Sequence, residues 1–329
     1  MRPACLALLS TSFCWLLSPD GLVLLGNLAG QGGVLFFTAL VVAGIFFVLI
    51  AKISEGIATG QQQKSDSTTS FMAPYLNLTL TLGCYVSAAV FLPTGALVTA
   101  GFTFNETFLY WFPNFGFSFL LLGVVLVTHL VHLNASKYLQ IICVAISLFC
   151  IVILSVVGIY KGFWLSTVGE MSQAVEPTRN SLLLFFTTPL LLLGILDEKS
   201  IAFRGSDRDN NRSRSFVVIL VAFILLTIWA AASLFHVPGS KLADSTIPYI
   251  FSAREILGQS GRILIGIAII CGALALVNGL LIILQASLAN QLKRFELKQS
   301  STISLQRISA LLVCVIIGAL MGGGLAGYD

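Results

Sequence analysis

Nine apolar runs bounded by charged residues, proline and glycine occupy most of the 329 residues: about 4–27, 33–51, 75–100, 113–132, 138–160, 181–196, 215–236, 262–290 and 308–327. A hydrocarbon core of about 30 Å takes about 20 residues of helix, and only the sixth run, ending before Asp197, falls well short of that length. Inside hydrocarbon every backbone N–H and C=O has to be paired within its own segment, so each run predicts a transmembrane helix. Composition agrees: 57% of residues are apolar and 10% charged, with a mean hydropathy of +0.96, against about 45–50% apolar and 25% charged in soluble domains. A water-soluble domain, a disordered chain, a collagen, a coiled coil and a secreted disulfide scaffold are thereby excluded. A transmembrane β-barrel is excluded too, because its strands alternate over about ten residues and do not stay apolar throughout. The expected fold class is all-α, a polytopic transmembrane helix bundle with about nine transmembrane helices.

The net charge of +4 comes from 18 Lys and Arg against 14 Asp and Glu, placed between the runs. It forms no basic stripe for nucleic acid. Counting alternate loops puts Lys161, Arg179, Lys241, Arg254 and Arg262 on one side and every other Lys and Arg on the opposite side. Basic residues are retained in the cytoplasm, so a cell-membrane protein with its N-terminus inside is expected. The seven cysteines lie in apolar runs without CxxC spacing and read as small hydrophobes. The start of the first run, Arg2 followed by CLALLSTSFCWLLSP, also has the n- and h-regions of a signal peptide; no A-x-A site follows and apolar sequence resumes at Leu22, so a retained helix is expected. Of three N-x-S/T sequons, at Asn77, Asn105 and Asn134, only Asn105 falls in a predicted outer loop.

Two polar stretches, Gly60–Ser70 and Arg204–Arg214, predict loops, the second a boundary between halves. Ser245–Arg262 mixes Ile250, Phe251, Ile256 and Leu257 with polar residues and predicts either a short amphipathic helix capping the bundle or a surface loop. Ser252 with Glu255 three residues on has the spacing of a capping box.

No run holds an Asp, Glu, Lys or Arg near its middle, which argues against proton transport on a mid-membrane carboxylate and against an acidic-pair hydrolase. No nucleophile and base, metal site or cofactor motif stands out, so no enzyme is expected. His129 and His132, three residues apart, read as interfacial histidines at the cytoplasmic end of the fourth run, without the further ligands a metal needs. His236 stands alone.

Two runs carry breaks. The first has Ser10, Thr11 and Ser12, then Ser18, Pro19, Asp20 and Gly21; the sixth has Thr187, Thr188 and Pro189 after Phe185 and Phe186. Proline removes a donor and clashes with the preceding turn, freeing backbone groups that a ligand can use. The breaks lie five runs apart, as a five-helix unit repeated with inverted topology would place them around a central site. Half-helix ends there suit a zwitterion; simple kinks are the alternative. Trp15, Tyr85, Phe185 and Phe186 could line a pocket. Asn278 and Gln285 in the eighth run should face the bundle, Asn278 through an interhelical hydrogen bond or a ligand contact.

Four stretches carry a family resemblance: AGQGGVLFFTALVVAGIFFVLIAKISEGIA with Glu55 near its end; SKYLQIICVAISLF; FFTTPLLLLGILDEKS; and LADSTIPYIFSAREILGQSGRILIGIAIICGALALVNGLLIILQASLANQLKR. They are similar to the second helix, the start of the fifth, the unwound sixth, and the outer gate loop with the eighth helix of the amino acid, polyamine and organocation permeases, which have the leucine-transporter fold. The resemblance implies two inverted repeats, 1–160 and an incomplete 181–329 of four helices. It also implies an amino acid or small amine held between helices one and six, with three and eight closing the pocket. By carry-over Ser10, Thr11 and Ser12 stand at the unwound motif of helix one, and Phe186, Thr187 and Thr188 at that of helix six. The full set of substrate contacts expected is Ser10, Thr11, Ser12, Tyr85, Phe185, Phe186, Thr187, Thr188 and Asn278, with neither metal nor cofactor. Both motif glycines are replaced by Ser10 and Ser12, Ser147 stands where many members carry a lysine, and the tenth helix of the family core is not there. Coupling to Na⁺, through oxygens such as that of Ser287, or to H⁺ stays open. The alternative function is a permease-derived membrane protein that senses or assembles without transporting.

Overall fold

A computed structural model describes residues 10–11, 13–63, 73–131, 133–165, 181–189, 208–293 and 299–326. Among these, side chains are described except at 50–63, 73–82, 85, 133, 165, 181–183, 208–219, 290–293, 299–303 and 324–326. The described residues are helical with no strand. In chain order the helices are α1 (Pro19–Gly32), α2 (Val34–Gln63), α3 (Ala73–Thr107), α4 (Asn114–Val131), α5 (Leu133–Leu165), α6 (Ser181–Thr187), α7 (Arg208–His236), α8 (Gly239–Ala243), α9 (Pro248–Lys293) and α10 (Gln299–Ala326). Five stretches among the described residues are long and apolar enough to cross a bilayer: Val86–Thr107, Asn114–Val131, Asn134–Trp164, Pro248–Ala289 and Ser304–Gly323. Val34–Leu49 and Leu220–His236 are shorter apolar helices. The chain is a multi-pass helical membrane protein.

These helices tolerate their hydroxyls because the hydroxyls close back on the backbone. Thr94, Thr99 and Thr103 of α3 donate to the carbonyls of Val90, Gly95 and Thr99 at 2.7, 2.9 and 2.8 Å. These three hydroxyls are thereby kept from standing bare in an apolar medium. The Thr94 bond sits one residue after Pro93, buried inside α3. Lipid-facing positions carry bare hydrocarbon: Val34, Val131 and Phe149 are about two-thirds exposed, as expected where the surrounding solvent is itself apolar.

Aromatic residues mark one membrane boundary. Tyr110 and Trp111, between α3 and α4, and Tyr160, Phe163 and Trp164, at the end of α5, are largely exposed. Amphipathic rings prefer the headgroup level. At this level α1, α3, α5 and α7 end, while α4 and α9 begin. Glu106 and Arg262 form an ion pair there at 3.8 Å.

Three expectations about loops are corrected. Gly60–Gln63 continue α2, and Arg208–Arg214 open α7, so both polar stretches are partly helical; the remainder of each lies outside the described residues. Ser252 caps nothing: α9 starts at Pro248, and Ser252 sits inside it, buried, donating to Pro248 O at 3.1 Å. Proline at the first helical position has no donor to lose, which explains the earlier start. The amphipathic segment Pro248–Leu257 does cap the bundle. Tyr249 is buried beneath it with its hydroxyl 3.0 Å from Thr103 Oγ1, Ile256 packs at Gly158, and Lys161 Nζ donates to Ile256 O at 2.8 Å. The cap then swivels into the long span at Gly258, whose φ of 62° and ψ of −136° suit only glycine.

Candidate functional site

Among the described residues the first run is interrupted between two helical pieces. Ser10 to Cys14 is helical where described, Trp15–Leu17 is a turn, and α1 begins at Pro19. Ser18 makes the joint: its N–H bonds Trp15 O at 3.1 Å, its hydroxyl donates to Trp15 O at 2.6 Å, and the same oxygen accepts from Gly21 N at 3.0 Å. Ser18 is thus the N-cap of α1, with Pro19 following it at a position where proline is favoured. Regular winding is lost at Trp15–Ser18, one turn later than the Ser10–Ser12 motif suggested, because the cap and the proline act there. Ser10 and Thr11 are buried in helical backbone; Ser12 lies outside the described residues.

Small residues let α9 close on this joint. A Cβ on Gly272 would stand 2.0 Å from Leu17 O and 3.6 Å from Ser147 Oγ, and one on Gly279 would meet Cys14 Sγ at 3.2 Å. Ser147 of α5 is fully buried and its hydroxyl has no hydrogen-bond partner. Beside the joint is a gap of about 10 Å³ lined by side chains such as Leu16, Leu25, Ile151 and Trp229, at the lower limit for a single water.

Asp20 occupies the other flank. Its carboxylate faces Gly95 of α3, where a Cβ would lie 3.4 Å from Oδ2. Gly95 is about 18 Å of helix below Thr107, which places Asp20 well inside the bilayer. The expectation that no run carries an acidic residue at depth is therefore corrected: a run broken in two starts its second half, and its first-turn carboxylate, mid-membrane. Asp20 makes no hydrogen bond or ion pair with any described residue. Above it α1 is roofed by the cap, Gly26 against Pro248 and Gly30 against Ala243. Asn27, with its amide nitrogen turned toward the roof, donates to Leu242 O at 2.8 Å and Ser245 O at 3.0 Å.

Below the joint lies a polar network, buried except at Gln306, that spacing alone did not reveal. His129 Nε2 of α4 is 3.0 Å from Asn278 Oδ1 of α9, and Nδ1 is 3.1 Å from Gln285 Oε1. Ser136 Oγ of α5 stands 3.1 Å from Nε2 and 2.8 Å from Asn278 Oδ1. Asn278 Nδ2 donates to Ser136 O and to Gln140 Oε1, both at 2.9 Å. Gln285 Nε2 and Gln306 Nε2 each donate to the other residue's carbonyl at 3.2 Å, tying α9 to α10. His129 is 1% exposed, so the interfacial reading of this histidine is corrected; His132 lies outside the described residues. The signal available was the set of polar residues His129, Ser136, Gln140, Asn278 and Gln285 in or beside the fourth, fifth and eighth runs. His236 is also bonded, its Nε2 lying 2.9 Å from Gly158 O.

The remaining predicted contacts do not gather at one place. In α6, Phe185 is half-buried, Phe186 is 79% exposed, and Thr187 and Thr188 bond back to Leu184 O at 3.3 and 2.7 Å. Regular winding ends at Thr187, and a tighter turn follows through Thr188 and Pro189. Leu184 packs against Gly32 at the far end of α1, about 20 Å of helix from Ser18. Asn278 is at the near end, beside Cys14. Tyr85 lies in α3, its side chain outside those described. Ser287 is buried in α9. Among the described residues no three His, Cys, Asp or Glu are grouped as metal ligands, and the six described cysteines are free thiols. No family model matches the sequence, and no curated protein matches it.

Proposed function

We propose that the chain is a secondary carrier of the amino acid, polyamine and organocation type, moving an amino acid or a related small amine across the cell membrane by alternating access. The observation that carries this reading is the interrupted first span, with an unpaired carboxylate at membrane depth on one flank and a buried, unpartnered hydroxyl on the other. A carboxylate in hydrocarbon requires a counter-charge or a proton, and charged groups kept there mark substrate or ion paths. The ammonium group common to amino acids and amines supplies that charge at Asp20. The Ser147 hydroxyl and the Leu17 carbonyl offer polar contacts on the α5 and α9 side. A roof over the joint from Pro248 to Leu257, hinged at Gly258, suits the outward-closed state of such a cycle. Nine spans, inverted five-helix repeats and an inside N-terminus belong to the same proposal. Uptake of radiolabelled amino acids and simple amines into proteoliposomes tests it. Saturable uptake that Asp20→Asn abolishes is expected; absence of both uptake and binding across the standard amino acids and small amines overturns it.

One observation favours a second reading, a permease-derived protein that senses or assembles without transporting. The gap beside the joint is about 10 Å³ and apolar, against about 300–1,000 Å³ for ligand pockets. Binding without uptake in the same experiment selects this reading.

A further inference from the structure

The carrier reading makes no use of His129, yet this ring is buried at the junction of four helices with oxygen atoms at both of its nitrogens. We propose that His129 is a reversible proton-binding site within the membrane, holding one proton permanently on Nδ1 and exchanging a second at Nε2.

The assignment follows from the partners. Gln285 turns its nitrogen to the Gln306 carbonyl, so its oxygen is what faces the ring. Nδ1 therefore carries a hydrogen in every state. Asn278 gives both of its amide hydrogens away, to Ser136 O and Gln140 Oε1, so at Nε2 it too presents only oxygen. A neutral ring has one N–H and cannot donate to both oxygens; an imidazolium can.

Ser136 makes the exchange reversible. Its single hydroxyl hydrogen has two acceptors in reach, Nε2 at 3.1 Å and Asn278 Oδ1 at 2.8 Å. With the ring neutral the hydroxyl donates to Nε2. When a proton binds there, Nε2–H donates to Asn278 Oδ1 and the hydroxyl turns to the same oxygen. Each state leaves Nε2 hydrogen-bonded, which is what a buried polar nitrogen needs in either form. The proton thus shifts a contact between α4, α5 and α9 without an acidic partner.

The groups around the ring bear this out. From α5 it meets Ser136, with Gln140 behind; from α9, Asn278 and Gln285; from α10, Gln306 through Gln285. The titratable groups with described side chains on the packed helices are Cys84 and Glu106 of α3, both exposed; Lys137, Tyr138, Cys143, Cys150, Tyr160 and Lys161 of α5; Tyr249, Arg254, Glu255, Arg262 and Cys271 of α9; and Arg307 and Cys314 of α10. None of them bonds to the ring among the described residues.

The sequence has three histidines, so His132→Gln with His236→Gln leaves His129 as the one ¹⁵N-histidine signal in protein reconstituted in lipid nanodiscs. NMR of the neutral ring is expected to show a protonated Nδ1 and a bare Nε2. Acidification to about two pH units below the ordinary histidine value of roughly 6.5 is expected to move the Nε2 resonance alone to the protonated position. Ser136→Ala is expected to shift the neutral-ring Nε2 resonance and leave Nδ1 in place. A neutral ring protonated on Nε2, or one that gains no second proton over that range, overturns the site. An unmoved Nε2 signal in Ser136→Ala overturns the hydroxyl exchange. The measurement reads no transport, so its outcome is separate from that of the carrier reading.

Discussion

Replacing Gly272 with alanine tests how the joint in the first span is held. The new Cβ would lie 2.0 Å from Leu17 O and 3.0 Å from Leu17 C. Even close C–H···O contacts rest at about 3.3–3.6 Å between carbon and oxygen. Leu17 or α9 must therefore retreat by more than about 1 Å, and the obstacle is backbone, which has no rotamer to change. Overpacking of this kind costs about 1–3 kcal/mol. Gly→Ala in a helix interior works in the opposite direction by about 0.8–1.0 kcal/mol, which would mask part of the loss. Gly123 of α4 provides the reference, because a Cβ there meets nothing within 4 Å. Both variants gain the same propensity, so their difference isolates the steric cost. The assay is unfolding of each purified variant in bicelles, followed by circular dichroism. Gly272→Ala is expected to be less stable than Gly123→Ala by about 1–3 kcal/mol. Equal stabilities, within about 0.5 kcal/mol, would refute the close approach of α9 to the joint.

Gly258→Ala places a side chain at φ 62° and ψ −136°; a loss of about 1–3 kcal/mol in the same assay is expected, and an unchanged protein would argue against a swivel there. Asn278→Leu leaves His129, Ser136 and Gln140 short of partners and is expected to destabilise by about 1–3 kcal/mol, whereas a neutral effect would show that the network contributes nothing to the fold. Asp20→Asn removes an uncompensated charge and is expected to stabilise by about 0.5–2 kcal/mol while abolishing uptake; destabilisation would reveal a structural partner for Asp20. Single-tryptophan proteins retaining Trp111 or Trp164 are expected to be quenched most by lipids brominated near the headgroup, and one retaining Trp229, 2% exposed, to be little quenched at any depth. Deep quenching of Trp111 would displace the membrane boundary assigned to the α3–α4 turn.

The helical class, the position of most spans and the weakness of the first and sixth runs were legible in the sequence, because each follows from local rules. Backbone groups in hydrocarbon pair within the segment, and proline withholds a donor wherever it stands. Pairing between helices is not local. Ser18 and Pro19 form a cap only where the chain leaves one helical piece for the next, so the joint fell one turn past the serine-rich motif and carried Asp20 into the bilayer. His129 sits near the end of its run, where a histidine alone reads as interfacial; only the packing of α4, α5 and α9 brings it to Ser136, Asn278 and Gln285. Hydrophobicity along a chain determines which stretches enter the membrane, since transfer energy sums residue by residue. Which polar side chains then meet inside depends on contacts between residues more than a hundred positions apart, and that is decided when the helices pack.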